Sequence, residues 1–296
     1  MDPKAPALRP VAVTHLRDMP RIELSDPAGM AGPAVYRIDM GGTKISAAFY
    51  PKQRSDRLAI FFSGFVNRKQ LALPVFRRWE WHAEVPAHAL YLSDPTLETC
   101  EDLGLGWYIG TAERDCMDDI AVLIRGAAQS LGVAERDIVF YGSSGGGFAA
   151  LRALHWFPKA SAIAVNPQTR LTAFRAHSLT NYLNRFFGGI SKEAFAQTYP
   201  LRNAVVEALA ECRDSSVIYV QNRLDEHHVT SHLCELYEDR DGVLTSSHLR
   251  NQHLIQFEDP QGHDTAEPRA MMPALFRAAA ELQDRRFGGG VQAQNV

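Results

Sequence analysis

The chain has 296 residues, of which 46% are hydrophobic and 22% charged, and its formal net charge at pH 7 is −3. This composition is typical of a globular protein with enough apolar material for a large core. Neither a nucleic acid nor an anionic membrane is the expected partner, because such partners select clustered lysine and arginine. The mean hydropathy of −0.21, with no apolar run near the ~20 residues that span a bilayer, excludes a transmembrane protein.

The cysteines and the N-terminal residues indicate the cellular compartment in which the protein is expected. Cys100, Cys116, Cys212 and Cys234 are far apart in sequence and form no Cys-x-x-Cys pair, which predicts neither a disulfide scaffold nor a zinc knuckle. The opening residues lack a basic start followed by an apolar run, so no secretory signal is expected. We therefore expect a cytoplasmic protein with reduced thiols.

The first part of the chain predicts an arm and a hairpin. Residues 1–34 are rich in Pro and Ala without sustained periodicity, which is typical of an extended N-terminal arm. The segments VYRIDM and KISAAFY then flank Gly41-Gly42 and predict a β-hairpin. We expect one domain over 35–285, followed by a flexible tail over 286–296.

Short apolar runs alternate with helical patterns through the rest of the chain. The runs are LAIFF (58–62), HALYL (88–92), DIVFY (137–141), SAIAV (161–165), SVIYV (216–220) and HLIQF (253–257). Apolar residues at three- and four-residue steps predict helices over 117–131, after Gly147 and over 268–285. This alternation indicates the α/β class, with a mostly parallel central sheet flanked by helices.

One interval departs from the alternation. Residues 168–213 separate the sixth and seventh predicted strands, about twice the length of an ordinary crossover, and carry aromatic and basic residues that include Arg175. A helical insertion of this size beside a sheet end can form a cap over a pocket. Extra helical packing on the outside of the domain remains the alternative.

The segment DIVFYGSSGGGFAAL (137–151) contains the pattern Gly-x-Ser-x-Gly with Ser144 at its centre. The pattern follows a predicted strand and precedes a predicted helix, which is the setting of a nucleophile elbow. Glycines two residues before and after the serine remove Cβ atoms that would collide with the strand and helix. Ser143 is a poorer candidate because Tyr141 stands where its first glycine should be. The alternative is a Gly-rich turn that only connects the strand to the helix.

A serine hydroxyl needs a base, and the base needs an orienting group. In a nucleophile-elbow protein the acid and the histidine follow in that order, each after a later strand. Asp225 follows SVIYV, and His263 lies in a Gly-His-Asp turn after HLIQF. Glu226 and His228 are the rival carboxylate and imidazole, and His228 is close in sequence to Asp225.

The negative charge that develops on a substrate carbonyl also needs donors. We expect the backbone N–H of Gly145, directly after the serine, to be one of them. The second should come from the loop SGFVNRK after LAIFF, where Gly64 permits close approach. The N–H of Phe65 is the leading candidate for it and that of Val66 the alternative.

Together, GSSGG after a strand, Asp225 after a later strand and Gly-His-Asp at 262–264 resemble the α/β-hydrolase superfamily over residues 35–285. The resemblance implies an α/β-hydrolase fold, with Ser144 as nucleophile, His263 as base and then acid, and Asp225 as its orienter. Many esterases have His-Gly-Gly-Gly after the third strand, whereas this chain has Ser63-Gly64-Phe65-Val66, which leaves the subfamily open.

Histidine, aspartate and tryptophan residues elsewhere in the sequence are further candidates for the site. His228 and His232 lie four apart and would share a helix face that could hold zinc, but no third ligand has a recognisable spacing. We expect instead exposed histidines on a helix beside the site, with no metal ion. Asp94 and Trp107 follow another predicted strand and either line the pocket or belong to turns.

The leading functional expectation is a serine hydrolase that cleaves carboxylic esters through an acyl-enzyme, without a cofactor. Acyl transfer to a sugar or polysaccharide hydroxyl is the alternative, because the same three residues would serve with a donor such as acetyl-CoA. A catalytically inactive binding protein on the same fold is a third hypothesis. The expected partner is a small-molecule ester or a glycan, and self-association into a homo-oligomer stays open.

Overall fold

The computed structural model describes residues 16–174, 177–210, 212–240, 243–245, 251–263 and 269–287, without the side chains of 238–240 and 243–245. Its strands are β1 (Arg21–Leu24), β2 (Ala34–Asp39), β3 (Lys44–Tyr50), β4 (Leu58–Phe62), β5 (His88–Leu92), β6 (Ile138–Ser143), β7 (Ser161–Val165), β8 (Ser216–Asn222), β9 (Glu238–Arg240), β10 (Val243–Thr245) and β11 (Gln252–Phe257). Nine of these strands form one sheet in the order β1-β2-β3-β5-β4-β6-β7-β8-β11, and β9 and β10 pair with each other.

The sheet is mostly parallel, as the sequence pattern predicts. Only β2 with β3 and β3 with β5 pair in antiparallel fashion within it. Every residue of β4, β5, β7 and β8 is buried. Both faces of these strands are covered by other parts of the protein, which is why their sequences are continuous apolar runs.

Strand β1 lies in the segment predicted as an arm. It pairs in parallel with β2 at the edge of the sheet, with Ile22 opposite Tyr36. Three of its four residues are exposed. A strand that is neither covered nor buried has no apolar run to reveal it in the sequence, which is why the pattern missed it.

The helices are α1 (Cys116–Leu131), α2 (Gly145–Ala153), α3 (Ser178–Phe186), α4 (Lys192–Thr198), α5 (Pro200–Asn203), α6 (Val205–Leu209), α7 (Glu226–His228), α8 (Cys234–Leu236) and α9 (Met272–Phe287). One core cluster joins α1, α2 and the helices between β7 and β8 to one face of the sheet. A second cluster joins α9 to the other face. Neighbouring residues of β4 divide between them, since Phe62 belongs to the first and Phe61 to the second.

The helices α3 to α6 occupy the predicted insertion at 168–213. The last helix continues to Phe287, two residues into the segment predicted as a tail. Arg175 and Asp264 lie outside the described residues, as do 1–15 and 288–296. Within the part of the chain that the structure covers, no helix is both long and apolar enough to traverse a bilayer.

The order of the strands marks one place on the sheet for a site. From β4 the chain crosses to β5 on one side and then to β6 on the other. In open parallel sheets, ligands bind at the carboxyl ends of the strands where the order reverses in this way. Ser144 follows directly after β6, next to the carboxyl end of β4.

Candidate active site

Ser144 lies at a tight bend between β6 and α2, with φ 53° and ψ −123°. A non-glycine residue in such a conformation costs about 1–3 kcal/mol and persists only where the surroundings enforce it. A Cβ on Gly142 would lie 2.1 Å from the carbonyl oxygen of Gly146, and one on Gly146 would lie 2.5 Å from that of Phe62. Both glycines are therefore required by close backbone approach, as the sequence pattern predicts.

The structure brings together the three side chains that the sequence analysis selected. The Nε2 atom of His263 is 3.0 Å from Oγ of Ser144, although 119 positions separate these residues in the chain. The Nδ1 atom of the same ring is 2.6 Å from Oδ2 of Asp225. The three groups thus form a continuous hydrogen-bonded chain at the carboxyl edge of the sheet.

The side chain of Asn222, at the end of β8, joins the loops that carry Asp225 and His263. Its Oδ1 accepts the N–H groups of Leu224 at 3.1 Å and Asp259 at 3.0 Å. Its Nδ2 donates to the carbonyls of Asp259 at 2.9 Å and Gly262 at 2.8 Å. These four bonds use both acceptor sites and both donors of the amide, so one buried residue fixes the spacing of the two loops.

Asp225 accepts hydrogen bonds from two imidazoles. His228, the rival imidazole of the sequence analysis, places Nδ1 3.1 Å from Oδ1 and 3.0 Å from Oδ2 of the carboxylate. Burial would raise the pKa of Asp225, but the bonds from His228 and His263 outweigh it and hold that pKa well below its usual range. An ionised carboxylate only accepts, so His263 donates through Nδ1–H, and in that tautomer Nε2 is the nitrogen that accepts the Ser144 hydroxyl proton.

The histidines expected on an exposed helix face are buried. Only 2% of His228 and none of His232 is accessible. The stretch that carries them winds from α7 into a π-helical turn over Val229–Leu233, with the two rings 4.9 Å apart. Burial, together with the neighbouring imidazoles, lowers the pKa of His232 to about 3. Its neutral Nδ1 accepts the backbone N–H of Thr169 at 3.3 Å. The expectation of solvated histidines is therefore wrong.

Asp225, His228 and His263 are also the described residues whose donor atoms lie close enough to hold a metal ion jointly, within 4.8 Å of one another. The rings of His228 and His263 are parallel, however, inclined by 6° with centroids 3.9 Å apart. An ion bound through an imidazole nitrogen lies in the plane of that ring, and two stacked rings share no such point. This geometry fits two hydrogen bonds to one carboxylate better than joint coordination.

The loop after β4 passes beside Ser144. A Cβ on Gly64 would lie 3.8 Å from Cβ of Ser144 and 3.0 Å from the carbonyl oxygen of Ser143. The N–H of Val66, the alternative oxyanion donor, already donates to Gly104 at 2.8 Å. Within the described residues, no hydrogen bond engages the N–H of Phe65, whose carbonyl accepts from Arg77 at 3.0 Å. Of the two candidates, Phe65 is the one with an uncommitted donor.

Gln168 is a residue of the site that the sequence does not predict, and Trp107 is one for which the sequence predicts either a pocket position or a turn. Gln168 follows β7, is fully buried and places Nε2 3.4 Å from Oγ of Ser144. The indole N–H of Trp107 donates to the other end of the same amide. No motif marks either residue, because their contacts depend on segments that are 61 residues apart in the chain. Asp94, for which the sequence likewise predicts either a pocket position or a turn, is buried and accepts the N–H groups of Thr96 and Tyr108.

Comparison of the fold with solved structures shows clear similarity at low sequence identity. A capsule O-acetyltransferase of Neisseria meningitidis serogroup A superposes with a TM-score of 0.55 at 18% identity, over 87% of this chain and 94% of that chain. An acetyl xylan esterase from Paenibacillus sp. R4 gives a TM-score of 0.54 at 14% identity, over 81% of this chain and 80% of that one. The chain has the α/β-hydrolase fold. A puromycin hydrolase shares it with a TM-score of 0.54 at 16% identity, over 88% of this chain and 40% of that one.

At these identities the similarity establishes the α/β-hydrolase fold alone. No protein-family model matches the sequence, and no curated protein matches it. The fold class predicted from the elbow motif and the strand alternation is confirmed. The chemistry has to be argued from the side chains at the carboxyl edge of the sheet, because one fold hosts many activities.

Proposed function

We propose that this protein is a serine hydrolase that cleaves carboxylic esters through an acyl-enzyme. The observation that supports the proposal is the hydrogen-bonded chain from Oγ of Ser144 through the ring of His263 to Asp225. A serine hydroxyl becomes an effective nucleophile when an oriented base removes its proton. A neutral histidine held by an ionised carboxylate provides such a base.

In this mechanism, Oγ of Ser144 attacks the ester carbonyl carbon while its proton passes to Nε2 of His263. The carbonyl electron pair moves to the oxygen, and the N–H groups of Gly145 and Phe65 stabilise that charge. The carbon–oxygen bond to the alcohol then breaks, and His263 returns the proton to the leaving alcohol. Water then attacks the acyl-enzyme by the same steps, which releases the carboxylic acid and restores the hydroxyl of Ser144. Asp225 holds the imidazole in the required tautomer throughout. Hydrolysis by this route requires no cofactor.

The test is turnover of 4-nitrophenyl acetate together with covalent labelling by a fluorophosphonate. We expect the wild-type protein to release nitrophenol and to bind one equivalent of the reagent, and Ser144→Ala to do neither while keeping the same thermal unfolding temperature. Turnover that survives in purified Ser144→Ala contradicts the proposal. A folded wild-type protein that neither turns over ester nor labels favours a non-catalytic binding protein.

A second candidate function is O-acyl transfer to a carbohydrate hydroxyl. It is supported by the similarity in fold to the capsule O-acetyltransferase, which extends over 94% of that chain. A structure of a mutant of that enzyme in complex with CoA is similar as well. The first half-reaction would form the same acyl-enzyme from an acyl donor such as acetyl-CoA, and an alcohol would replace water in the second. Chromatographic measurement of CoA released from acetyl-CoA, with and without glycan acceptors, separates the two functions. Release that depends on acceptor indicates transfer.

A further inference from the structure

The side chain of Gln168 is a buried hydrogen-bond donor beside the proposed nucleophile, and the mechanism above does not use it. The residue follows β7, and none of its surface is accessible. Its backbone N–H donates to the carbonyl of Ser144 at 3.3 Å, and its side-chain Nε2 lies 3.4 Å from Oγ of the same residue. Main chain and side chain thus both contact Ser144.

The orientation of this amide is set by Trp107. An indole N–H can only donate, so the amide must present its oxygen to the ring. The hydrogen bond from Nε1 of Trp107 to Oε1 of Gln168 therefore directs the NH2 group towards Ser144. The indole is held in turn by edge-to-face packing against Phe174 and Tyr182, and Trp107 takes the unusual φ of 53°. The donor is fixed before any substrate binds.

The amide also lies beside the first turn of α2. A Cβ on Gly145 would approach Nε1 of Trp107 to 3.4 Å, so the indole that orients Gln168 lies beside the residue directly after Ser144. The first N–H groups of a helix have no acceptor within the helix, and that of Gly145 is the proposed oxyanion donor. Nε2 of Gln168, 3.4 Å from Oγ, and the N–H of Gly145 thus both lie next to Ser144, the residue on which the oxyanion would form.

We propose that Gln168 is a catalytic residue whose Nε2–H donates a hydrogen bond to the oxyanion formed on Ser144, and that Trp107 positions it. This inference rests on the proposed acyl-enzyme chemistry. When the bond from Oγ to the carbonyl carbon forms and the proton moves to His263, the electron pair on the carbonyl oxygen accepts from Gln168 as well as from Gly145. The donor is released when that pair re-forms the carbonyl and the alcohol departs.

The test compares Gln168→Met, which has a similar length and no N–H, with the wild-type protein in 4-nitrophenyl acetate turnover and in the rate of fluorophosphonate labelling. Loss of one oxyanion donor lowers kcat by about 10²–10³-fold, and we expect a fall of that size with KM changed less than threefold. Gln283→Met is the matched control, because Gln283 is a buried glutamine that bonds to Lys159 and Ser161 instead.

Trp107→Phe separates orientation from donation, because it removes the indole N–H and keeps an aromatic ring. In the otherwise wild-type protein, we expect Trp107→Phe to lower kcat about tenfold with KM unchanged. In the Gln168→Met background, where no amide remains to be oriented, we expect Trp107→Phe to cause no further fall in kcat. The double variant also leaves no unpaired indole N–H, so it provides the measurement if Gln168→Met alone unfolds.

The outcomes distinguish this inference from the function on which it rests. Normal wild-type turnover and labelling, with Gln168→Met or the folded double variant within threefold of wild type, overturns the role of Gln168 and leaves the proposed function intact. Independent, multiplicative effects of the two substitutions overturn the role of Trp107. A wild-type protein that shows neither turnover nor labelling overturns the proposed function itself.

Discussion

The imidazole rings of His228 and His263 lie parallel, 3.9 Å apart between centroids, and both direct Nδ1 at the carboxylate of Asp225. One buried acid thus orients two stacked bases, of which only His263 reaches Ser144. The accessibility of the rings agrees with this division, since the His263 side chain is 34% exposed and that of His228 only 3%.

Removal of His228 should loosen the carboxylate that orients the proposed base, without removing the base itself. His228→Phe keeps a stacked ring but loses the donor to Asp225, and a hydrogen bond to a charged group is worth about 1.5–3 kcal/mol. We expect kcat for 4-nitrophenyl acetate to fall at least about tenfold, since each 1.36 kcal/mol is a factor of ten. His228→Asn keeps a donor near the position of Nδ1 and should retain more activity. His155→Phe is the control, because that ring packs against Trp156 away from the site. Equal, wild-type activity in both His228 variants would refute the role.

Replacement of Asn222 should separate the two loops at the site. Asn222→Ala leaves two N–H groups and two carbonyls without their partner, and each lost hydrogen bond contributes about 0.5–1.5 kcal/mol to stability. We expect the free energy of unfolding in urea to fall by at least about 2 kcal/mol and fluorophosphonate labelling to slow. Asn203→Ala offers the comparison, because Asn203 is also buried and its side chain accepts, among the described residues, only the N–H of Thr172. A smaller loss at position 222 than at position 203 would contradict this account.

The bend at Ser144 should not tolerate a methyl group at Gly146. Gly146→Ala brings Cβ within 2.5 Å of the backbone oxygen of Phe62, so the elbow or the strand must shift. We expect a loss of stability of about 3 kcal/mol, at the upper end for overpacking, together with loss of labelling at Ser144. In the control Gly29→Ala the nearest atom is a methyl group of Leu24 at 3.3 Å, which can move. Labelling at the wild-type rate in Gly146→Ala would show that the elbow is not rigid.

Burial raises the pKa of Asp94 to about 6, against hydrogen bonds from backbone N–H groups that lower it. A carboxyl whose pKa is higher in the folded than in the unfolded state stabilises the fold below about pH 4, and this contribution is lost as the pH rises through 6. A rise in the pKa of this carboxyl from 3.8 to about 6 corresponds to about 3 kcal/mol. The free energy of unfolding of the wild type, minus that of Asp94→Asn, should therefore fall by about that amount from pH 4 to pH 7. A difference that does not change with pH would exclude the shift.

The positions of Ser144, Asp225 and His263 could be predicted because each depends on a local pattern. A serine flanked by glycines between strand and helix specifies the elbow, and parallel strands deliver the residues that follow β8 and β11 to the same edge of the sheet. The positions follow from order along the chain and need no knowledge of distant contacts.

The supporting contacts could not be predicted in this way. The role of Asn222 depends on a loop 37 residues later, and the orientation of Gln168 on a tryptophan 61 residues earlier. His228 is close to Asp225 in sequence, yet the turn from α7 into the π-helix folds its ring back over His263. Such contacts are set by tertiary packing, which a linear pattern does not encode.

The most direct measurement is peptide mass spectrometry of the protein after reaction with a fluorophosphonate. A reactive hydroxyl at the elbow predicts one adduct per chain on the peptide that contains Ser144, formed more slowly when His263 is replaced by alanine. An adduct confined to another residue, or a folded wild-type protein that takes up no reagent, would contradict the account.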